Sequence, residues 1–284
     1  MKLGYNTNGF AHHDLVDALD IIAELGFTSV AITLDNQHLD PYDAGFGSEL
    51  VAVRTACRKL DLLVVIETGA RFILDPRRKH QPTLLSAAAD EHKRRMDFLI
   101  KAIRTAGDLG SPIVSLWSGS SETGNDQSDE LDERLVTSLQ ELCRLAEYQG
   151  VTLAFEPEPG MYIGDMAGFD RIFAAVNRDN FRLTLDVGHA HITESAGAAT
   201  TVRRYADVIV NAHLEGMNKH EHAHLPPGEG DLDLAGVVQE LIACDYTGPA
   251  TLELSRHSHN AVVVATRAAE FFRPLQLLRG QASG

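Results

Sequence analysis

The sequence alternates between short apolar runs and longer segments with helical periodicity, and this alternation recurs eight times along the chain. The first unit is KLGYN followed by DLVDALDIIAELG, in which apolar residues recur at helical spacing until Gly26. When each strand is followed by a helix, successive strands run parallel and their carboxyl ends meet on one face of the sheet. The alternation therefore predicts an α/β fold with a parallel sheet.

The other seven units show the same order of a predicted strand followed by a predicted helix. Their predicted strands are TSVAITL, LLVVIE, PIVSLW, VTLAFE, RLTLD, DVIVNAH and ATLEL. Their predicted helices lie near residues 47–61, 90–109, 129–149, 166–176, 196–205, 232–244 and 260–272. Several strands are continuously apolar, which is typical of strands covered on both faces. Eight units in 284 residues predict a single (β/α)8 TIM barrel over residues 1–284, with residues 275–284 as a flexible tail.

A doubly wound open sheet is the competing architecture. Such a sheet that binds dinucleotides carries a glycine-rich phosphate loop after its first strand. The corresponding segment here, GYNTNG, is too polar and lacks the required glycine spacing. The closed barrel is therefore the preferred fold.

The composition limits the partners and the compartment. Hydrophobic residues make up 44% and charged residues 23% of the chain, as in ordinary globular proteins. No apolar run approaches the ~18 residues of a membrane helix, and no secretory signal is visible, so we expect a cytoplasmic protein with no membrane partner. A net charge of -15 opposes binding to nucleic acid. The basic run DPRRK at residues 75–79 is expected to decorate a loop.

The cysteines do not indicate a disulfide framework. Cys57, Cys143 and Cys244 each lie in a segment with helical periodicity, and no two of them have a short paired spacing. We expect all three to be reduced and buried.

Four polar residues follow four successive predicted strands in the second half of the chain. They are Glu156, Asp186, His213 and Glu253. The strand ends of a parallel barrel converge, so these side chains should meet. Carboxylates that close would repel one another unless a cation neutralised them. Three carboxylates and one imidazole favour Mn, Mg or Co, with Zn as an alternative.

Each of these residues taken alone has an ordinary structural explanation. A carboxylate after a strand is often the N-cap of the next helix, and one histidine among thirteen is usually just a satisfied polar group. Their joint occurrence at corresponding strand ends favours a metal site. His189 and Glu215 lie a few residues beyond two of them and offer further polar groups.

The segments that carry these residues resemble a known superfamily. Glu156, LDVGH, NAHLEG, PPGEGDLD and TLEL are similar to the xylose isomerase-like TIM barrels, clearly over residues 151–255 and weakly in the first half. That superfamily contains sugar phosphate isomerases and epimerases, inosose dehydratases and the family 2 apurinic endonucleases. The resemblance implies that Glu156, Asp186, His213 and Glu253 bind the metal. It further implies that Glu156 and Glu253 exchange a proton with the substrate and that His189 orients or protonates a substrate oxygen.

The resemblance implies a divalent-metal-dependent isomerase or epimerase. Its expected substrate is a sugar, cyclitol or related polyhydroxy carbonyl compound, and its expected chemistry is an enediolate-type proton transfer. A metal-dependent hydrolase or lyase on the same barrel is the alternative, including a phosphodiesterase or endonuclease. Dimers and tetramers are common in the resembling families, so a homodimer or homotetramer is compatible with this interpretation.

The chain departs from the trinuclear site of the endonuclease branch. That branch has histidines where this chain has Glu67 and the segment LWSGS, and an aspartate where it has His222. His222 and His224 are expected either to bind a second metal or to belong to a lid over the barrel mouth.

Several further residues should lie on the same face of the barrel and contact the substrate. Glu158 is also an alternative to Glu156 as a ligand, and Arg256 would bind a substrate carboxylate or phosphate unless it pairs with a neighbouring acid. Asn8 is considered together with Asn6 as a partner for substrate hydroxyls. The predicted substrate contacts are Asn6, Glu67, Trp117, Glu158 and Arg256.

Overall fold

A computed structural model describes residues 1–121 and 128–279. Its strands are β1 (Lys2–Asn6), β2 (Ser29–Thr33), β3 (Leu63–Glu67), β4 (Ile113–Leu116), β5 (Thr152–Phe155), β6 (Phe181–Asp186), β7 (Ile209–Leu214), β8 (Gly216–Asn218), β9 (Glu221–Leu225) and β10 (Pro249–Leu252). Eight of them close into a parallel barrel in the order β1-β10-β7-β6-β5-β4-β3-β2, with β1 also paired to β2. The predicted (β/α)8 barrel is confirmed.

Helices surround the barrel, and their bounds lie close to the predicted ones. They are α1 (Leu15–Glu24), α2 (Phe46–Leu60), α3 (Ala89–Leu109), α4 (Asp129–Tyr148), α5 (Met166–Val176), α6 (Val187–Thr193), α7 (Ala198–Tyr205), α8 (Leu234–Ala243) and α9 (Ala261–Phe272). The short helix α6 was not predicted. It begins directly after β6 because the Asp186 side chain accepts a hydrogen bond from the His189 backbone N–H at 2.7 Å and so caps its first turn.

The inner face of the barrel changes from apolar to polar along the strands. Ala31, Val65, Ile113 and Ala154 form a small buried cluster of their own, separate from the larger core. Side chains two positions apart in a strand share a face. Glu67 and Glu156, which lie two residues after Val65 and Ala154, therefore point into the barrel above this apolar layer. The carboxyl ends of the strands thus carry the polar groups.

An antiparallel hairpin follows β7, in a segment where no strand was predicted. It consists of β8 and β9, with Gly216 opposite Leu225 and Asn218 opposite Glu221. Gly216 has no room for a side chain, because a Cβ there would lie 2.2 Å from the Glu229 carbonyl oxygen. The hairpin carries His222 and His224 over the barrel mouth.

The remaining chain features concern the cysteines and the C-terminal segment. All three cysteines are free; Cys57 and Cys143 are buried and Cys244 is partly exposed. The Arg279 backbone N–H donates to the Gly26 carbonyl at 2.8 Å, so the chain contacts the barrel up to the last described residue. The rest of the predicted tail, residues 280–284, lies outside the described residues. Within the described part of the chain, no helix is both long and apolar enough to cross a membrane.

Candidate metal centre and cavity

The four predicted ligands meet at the carboxyl ends of the barrel strands. Ligand atoms of Glu156, Asp186, His213 and Glu253 all lie within 4.8 Å of one another. His213 Nδ1 is at the middle of the group, 3.2 Å from Glu156 Oε1, 3.1 Å from Glu253 Oε2 and 4.0 Å from Asp186 Oδ2. The parallel strands therefore bring together residues that are far apart in sequence.

The electrostatics of this group fit a divalent cation. Burial raises the pKa of Glu156 well above its usual value, and the nearby Glu253 and Asp186 add to the increase although His213 opposes it. Burial would lower the pKa of His213, but the field of the surrounding carboxylates outweighs it and raises the pKa well above normal. Asp186 Oδ2 is buried and has no hydrogen-bond partner among the described residues. A cation would satisfy this oxygen and neutralise the clustered carboxylates.

Glu67 holds the ring of His213 in place. Its Oε1 lies 2.9 Å from His213 Nε2 and accepts a second hydrogen bond from Asn211 Nδ2 at 3.2 Å. If Nε2–H donates to Glu67, then Nδ1 presents its lone pair to the cluster, which is the state that binds a metal. Glu67 was predicted to contact the substrate; it lines the cavity, and its carboxylate is engaged with the histidine.

We expect Glu67→Gln to weaken metal binding by about 10- to 100-fold, the usual effect of losing a partner behind a metal ligand. The amide oxygen still accepts a hydrogen bond, but the variant lacks the negative charge of Glu67. That charge makes the His213 imidazole a stronger electron-pair donor to a metal. Competition titration against a chelator measures this affinity. Glu270→Gln, on the outer helix α9, is the matched control, and equal affinities of the two variants would contradict the role assigned to Glu67.

The segment after β1 positions Glu253. Asn8 Nδ2 donates to Glu253 Oε1 at 2.9 Å, and Asn8 lines the cavity. Asn6 does not line it: its Oδ1 accepts hydrogen bonds from the Asn8 backbone N–H at 2.9 Å and from Thr33 Oγ1 at 2.7 Å. Of the two asparagines, Asn6 stabilises the turn and Asn8 reaches the site.

Three histidines form a second cluster beside the first. His189 Nε2 lies 2.9 Å from His222 Nε2, which in turn lies 3.3 Å from His224 Nε2. Burial lowers the pKa of His189 to about 4, and burial also lowers the pKa of His222. At neutral pH these two imidazoles are therefore uncharged, the form that ligates metals. Ring nitrogens of all three lie within 4.8 Å of one another.

Glu215 lies buried between the two clusters. Its Oε1 accepts a hydrogen bond from the Gly188 backbone N–H at 2.8 Å, and its Oε2 lies 3.8 Å from His224 Nδ1. A Cβ on residue 188 would be only 2.4 Å from Glu215 Oε1, so only glycine allows this approach. The position of Glu215 two residues after His213 was visible in the sequence, but its contact with α6 was not.

A cavity of about 330 Å³ opens above these clusters. Most of the predicted catalytic, metal-binding and substrate-binding residues line it, including Trp117, Glu158 and Arg256. Arg71, Lys79 and His80 also line it and were not predicted. These three belong to the long connection between β3 and α3, which has no periodic pattern that would place its side chains.

Trp117 is held between two other side chains at the cavity wall. The buried guanidinium of Arg95 lies 4.7 Å from the Trp117 ring centroid, and the His80 ring makes an edge contact at 5.3 Å between centroids. Arg95 is fixed in turn by a 2.9 Å hydrogen bond from its Nη2 to the Thr68 carbonyl. Trp117 is the only tryptophan of the chain, so its fluorescence reports on the cavity.

Glu158 lies at the wall of the cavity and is not part of the four-residue cluster. Burial, together with the negative field of Glu253 and Asp186, raises its pKa to about 8. Of the two carboxylates in FEPEPG, Glu156 is the one whose oxygen reaches the other ligands.

Together the fold and the cluster define a class of protein, a (β/α)8 barrel with a candidate metal site of carboxylates and a histidine at its carboxyl-terminal strand ends. The profile of the family described as xylose isomerase-like TIM barrel matches residues 19–275. The chain belongs to this family.

Known relatives cover most of the chain at low identity. A fructoselysine 3-epimerase of Shigella flexneri is 22% identical over 97% of this chain and 98% of its own length. A 3-dehydroshikimate dehydratase of Pseudomonas putida is 25% identical over 94% of this chain, which spans only 40% of that relative. The crystal structure of a D-allulose 3-epimerase from Methylomonas sp. superposes with a TM-score of 0.78 at 20% identity, covering 98% of both chains.

Proposed function

We propose that this protein is a divalent-metal-dependent isomerase or epimerase of a sugar, cyclitol or related polyhydroxy carbonyl compound. The observation that carries the proposal is the placement of Glu156 and Glu253. Both line the cavity, both belong to the candidate metal cluster, and they arrive from β5 and β10, which are separated in the barrel by β6 and β7. Two carboxylates on different sides of one metal suit the removal and return of a proton at a substrate carbon.

The proposed metal ligands are Glu156, Asp186, His213 and Glu253. When bound, the metal polarises a substrate carbonyl and its neighbouring hydroxyl, which lowers the pKa of the C–H bond between them. Mn, Mg or Co suits the oxygen-rich donor set better than Zn.

The chain's own side chains then handle the protons. Glu156 and Glu253 each remove or return a proton at the substrate carbon, and the hydrogen bond from Asn8 keeps the Glu253 carboxylate turned towards the cavity. His189, whose Nδ1 lies 3.5 Å from Glu156 Oε1, is placed to orient or protonate a substrate oxygen. Trp117 offers an apolar wall for the carbon face of the substrate.

The relatives support the same reaction class. Fructoselysine 3-epimerase and D-allulose 3-epimerase are named for epimerisation, and this chain covers nearly the full length of both. At 330 Å³ the cavity is at the lower end of the range for ligand pockets, so the substrate should be small. A duplex nucleic acid is a poor fit for the cavity and for a net charge of -15.

A metal-dependent lyase or hydrolase is the second candidate. The observation that favours it is the His189, His222 and His224 cluster, which offers three imidazole nitrogens to a second metal. The dehydratase relative points to the lyase branch of this alternative. A hydrolase would use a metal-activated water, which a proton-transfer enzyme does not need.

We expect the metal-loaded protein to exchange substrate hydrogen with solvent deuterium. The purified protein is incubated in D2O with a panel of ketoses, cyclitol ketones and their acidic and phosphorylated derivatives, and NMR follows deuterium at the carbon beside the carbonyl. Epimerisation with exchange is the expected result, because carboxylate bases trade protons with water between turnovers. Turnover without any exchange would instead favour hydrolysis or an internal hydride shift.

Metal stoichiometry separates the two candidates independently of turnover. Elemental analysis after dialysis should give one Mn, Mg or Co per chain for the epimerase. Two or more Zn per chain would favour the lyase or hydrolase, with the histidine cluster as the second site.

A further inference from the structure

Three cationic side chains converge on the cavity from two different segments. Arg71 and Lys79 belong to the connection between β3 and α3, and Arg256 follows β10. The two segments meet at the Asn8 carbonyl, which accepts hydrogen bonds from Arg71 Nη2 at 3.3 Å and from Ser258 Oγ at 2.9 Å. The chain as a whole has a net charge of -15, so this group of positive side chains at one cavity contrasts with the overall negative charge of the protein.

Among the described residues, two of these cations have no carboxylate partner. Arg71 pairs with Asp35, with 3.3 Å between Nη1 and Oδ2. Lys79 and Arg256 are exposed, and neither forms an ion pair with a carboxylate of the described residues. The contact of Arg256 is a long hydrogen bond of 3.5 Å from Nη2 to the His222 carbonyl. Both side chains are available to an anion that enters the cavity.

The positive charges also act on a neighbouring histidine of the cavity. Burial, together with the charges of Lys79, Arg95 and Arg71, lowers the pKa of His80 to about 4 although the hydrogen bond to the Gly69 carbonyl opposes it. Glu156 and Glu253 of the candidate metal cluster, in contrast, line the same cavity, and the carboxylates of Asp186 and Glu215 lie buried beside them. The cavity is therefore polarised between a cationic wall and an acidic floor.

Opposite charges at two sides of the cavity would orient a charged substrate. A neutral sugar gains little from the cationic side chains, because its hydroxyls are equally well solvated by water. A carboxylate or phosphate gains charge-assisted hydrogen bonds there and is repelled by the carboxylates of the floor. The anionic group would thus bind away from the reacting carbon.

We infer that the substrate of this site carries an anionic oxygen group, a carboxylate or a phosphate, that is bound by Lys79 and Arg256 with Arg71 beside them, while its carbonyl end faces the metal cluster. This assignment rests on the proposed function for the carbonyl end only. The anionic group is recognised by the cationic wall whatever reaction follows.

Binding of non-reacting polyols tests the inference. The probes are a neutral hexitol, the hexonate of the same length and the corresponding hexitol phosphate, added to metal-free and metal-loaded protein. Quenching of Trp117 fluorescence and titration calorimetry give the dissociation constants. At least one anionic probe should bind about tenfold or more tightly than the hexitol, and that preference should decrease with added salt. The tighter of the two anionic probes identifies the group.

The double variant Lys79→Gln/Arg256→Gln should remove the anion preference and leave the hexitol affinity within about twofold. Arg77→Gln is the matched control, since Arg77 lies in the same basic run but does not line the cavity. Equal binding of neutral and anionic probes by the unaltered protein would overturn the inference, as would an anion preference that survives in the double variant.

The outcome does not depend on the proposed reaction. No probe turns over, so an intact anion preference without D2O exchange on any ketose would reject the epimerase and leave the anion site standing. Exchange on neutral and anionic ketoses at the same rate, with no anion preference in binding, would reject the anion site alone.

Discussion

Replacing Glu253 with glutamine is expected to lower epimer interconversion by about 10³-fold, within the usual range for the loss of a general acid or base. The amide keeps the size of the side chain and can still accept the hydrogen bond from Asn8 through its oxygen. It cannot take up a proton from carbon. In the proposed mechanism, interconversion uses both carboxylates, one for each face of the substrate, so the loss of either should suppress it.

The two glutamine variants should also differ in which epimer exchanges hydrogen with D2O. In Glu253→Gln, Glu156 can still remove and return the proton of one epimer, so that epimer should exchange with D2O although it no longer converts. In Glu156→Gln the other epimer should exchange. Two NMR time courses, each started from one epimer, measure this.

Loss of metal would produce a different pattern. Both glutamates belong to the candidate metal cluster, so elemental analysis must accompany each time course. Glu270→Gln, on the outside of α9, is the matched control and should behave like the unaltered protein. Exchange of both epimers at unchanged rates in either glutamine variant, with metal still bound, would contradict the two-base assignment.

Strand ends were predictable from sequence because periodicity alone determines them. The apolar runs before Glu156 and Asp186 end where the polar residues begin, and parallel strands must bring those ends together. The barrel, its order and the convergence of the four ligands follow from that single rule. No knowledge of distances was required.

Residues in connections were not predictable in the same way. Arg71 and Lys79 reach the cavity from a long segment that has no hydrophobic periodicity. The basic run DPRRK, which contains Lys79, was predicted only to lie on a loop. Asn6 and Asn8 are indistinguishable in sequence, and only the turn after β1 decides that Asn8 faces Glu253. Such positions depend on hydrogen bonds between segments far apart in the chain, which local patterns do not encode.

Asp186 has two oxygens with different partners, and this gives the second large expected effect. Oδ1 caps α6 through the His189 backbone N–H at 2.7 Å. Oδ2 is buried, lies within the cluster and has no hydrogen-bond partner in the described part of the chain. In Asp186→Asn the oxygen can retain the cap while an NH2 group, which cannot bind a cation, replaces Oδ2. We expect metal affinity to fall by at least about 100-fold, beyond the effect of an outer partner such as Glu67.

Thermal unfolding separates this loss from damage to the fold. Metal at 100 times its Kd stabilises the native state of the unaltered protein by about 2.7 kcal/mol, so its Tm should rise on metal addition. The Tm of metal-free Asp186→Asn should stay close to that of the metal-free parent, because the amide oxygen retains the cap on α6. Its Tm should no longer respond to metal.

The matched control is Asp165→Asn, another helix cap. Asp165 caps α5 by accepting a hydrogen bond from the Gly168 backbone N–H at 2.8 Å, but it is exposed and not part of the cluster. Asparagine caps a helix about as well as aspartate, so Asp165→Asn should keep both its metal content and its metal-dependent rise in Tm. Unchanged metal content in Asp186→Asn by elemental analysis would mean that Asp186 serves only as a cap, as Asp165 does, and that the cation is held by other residues.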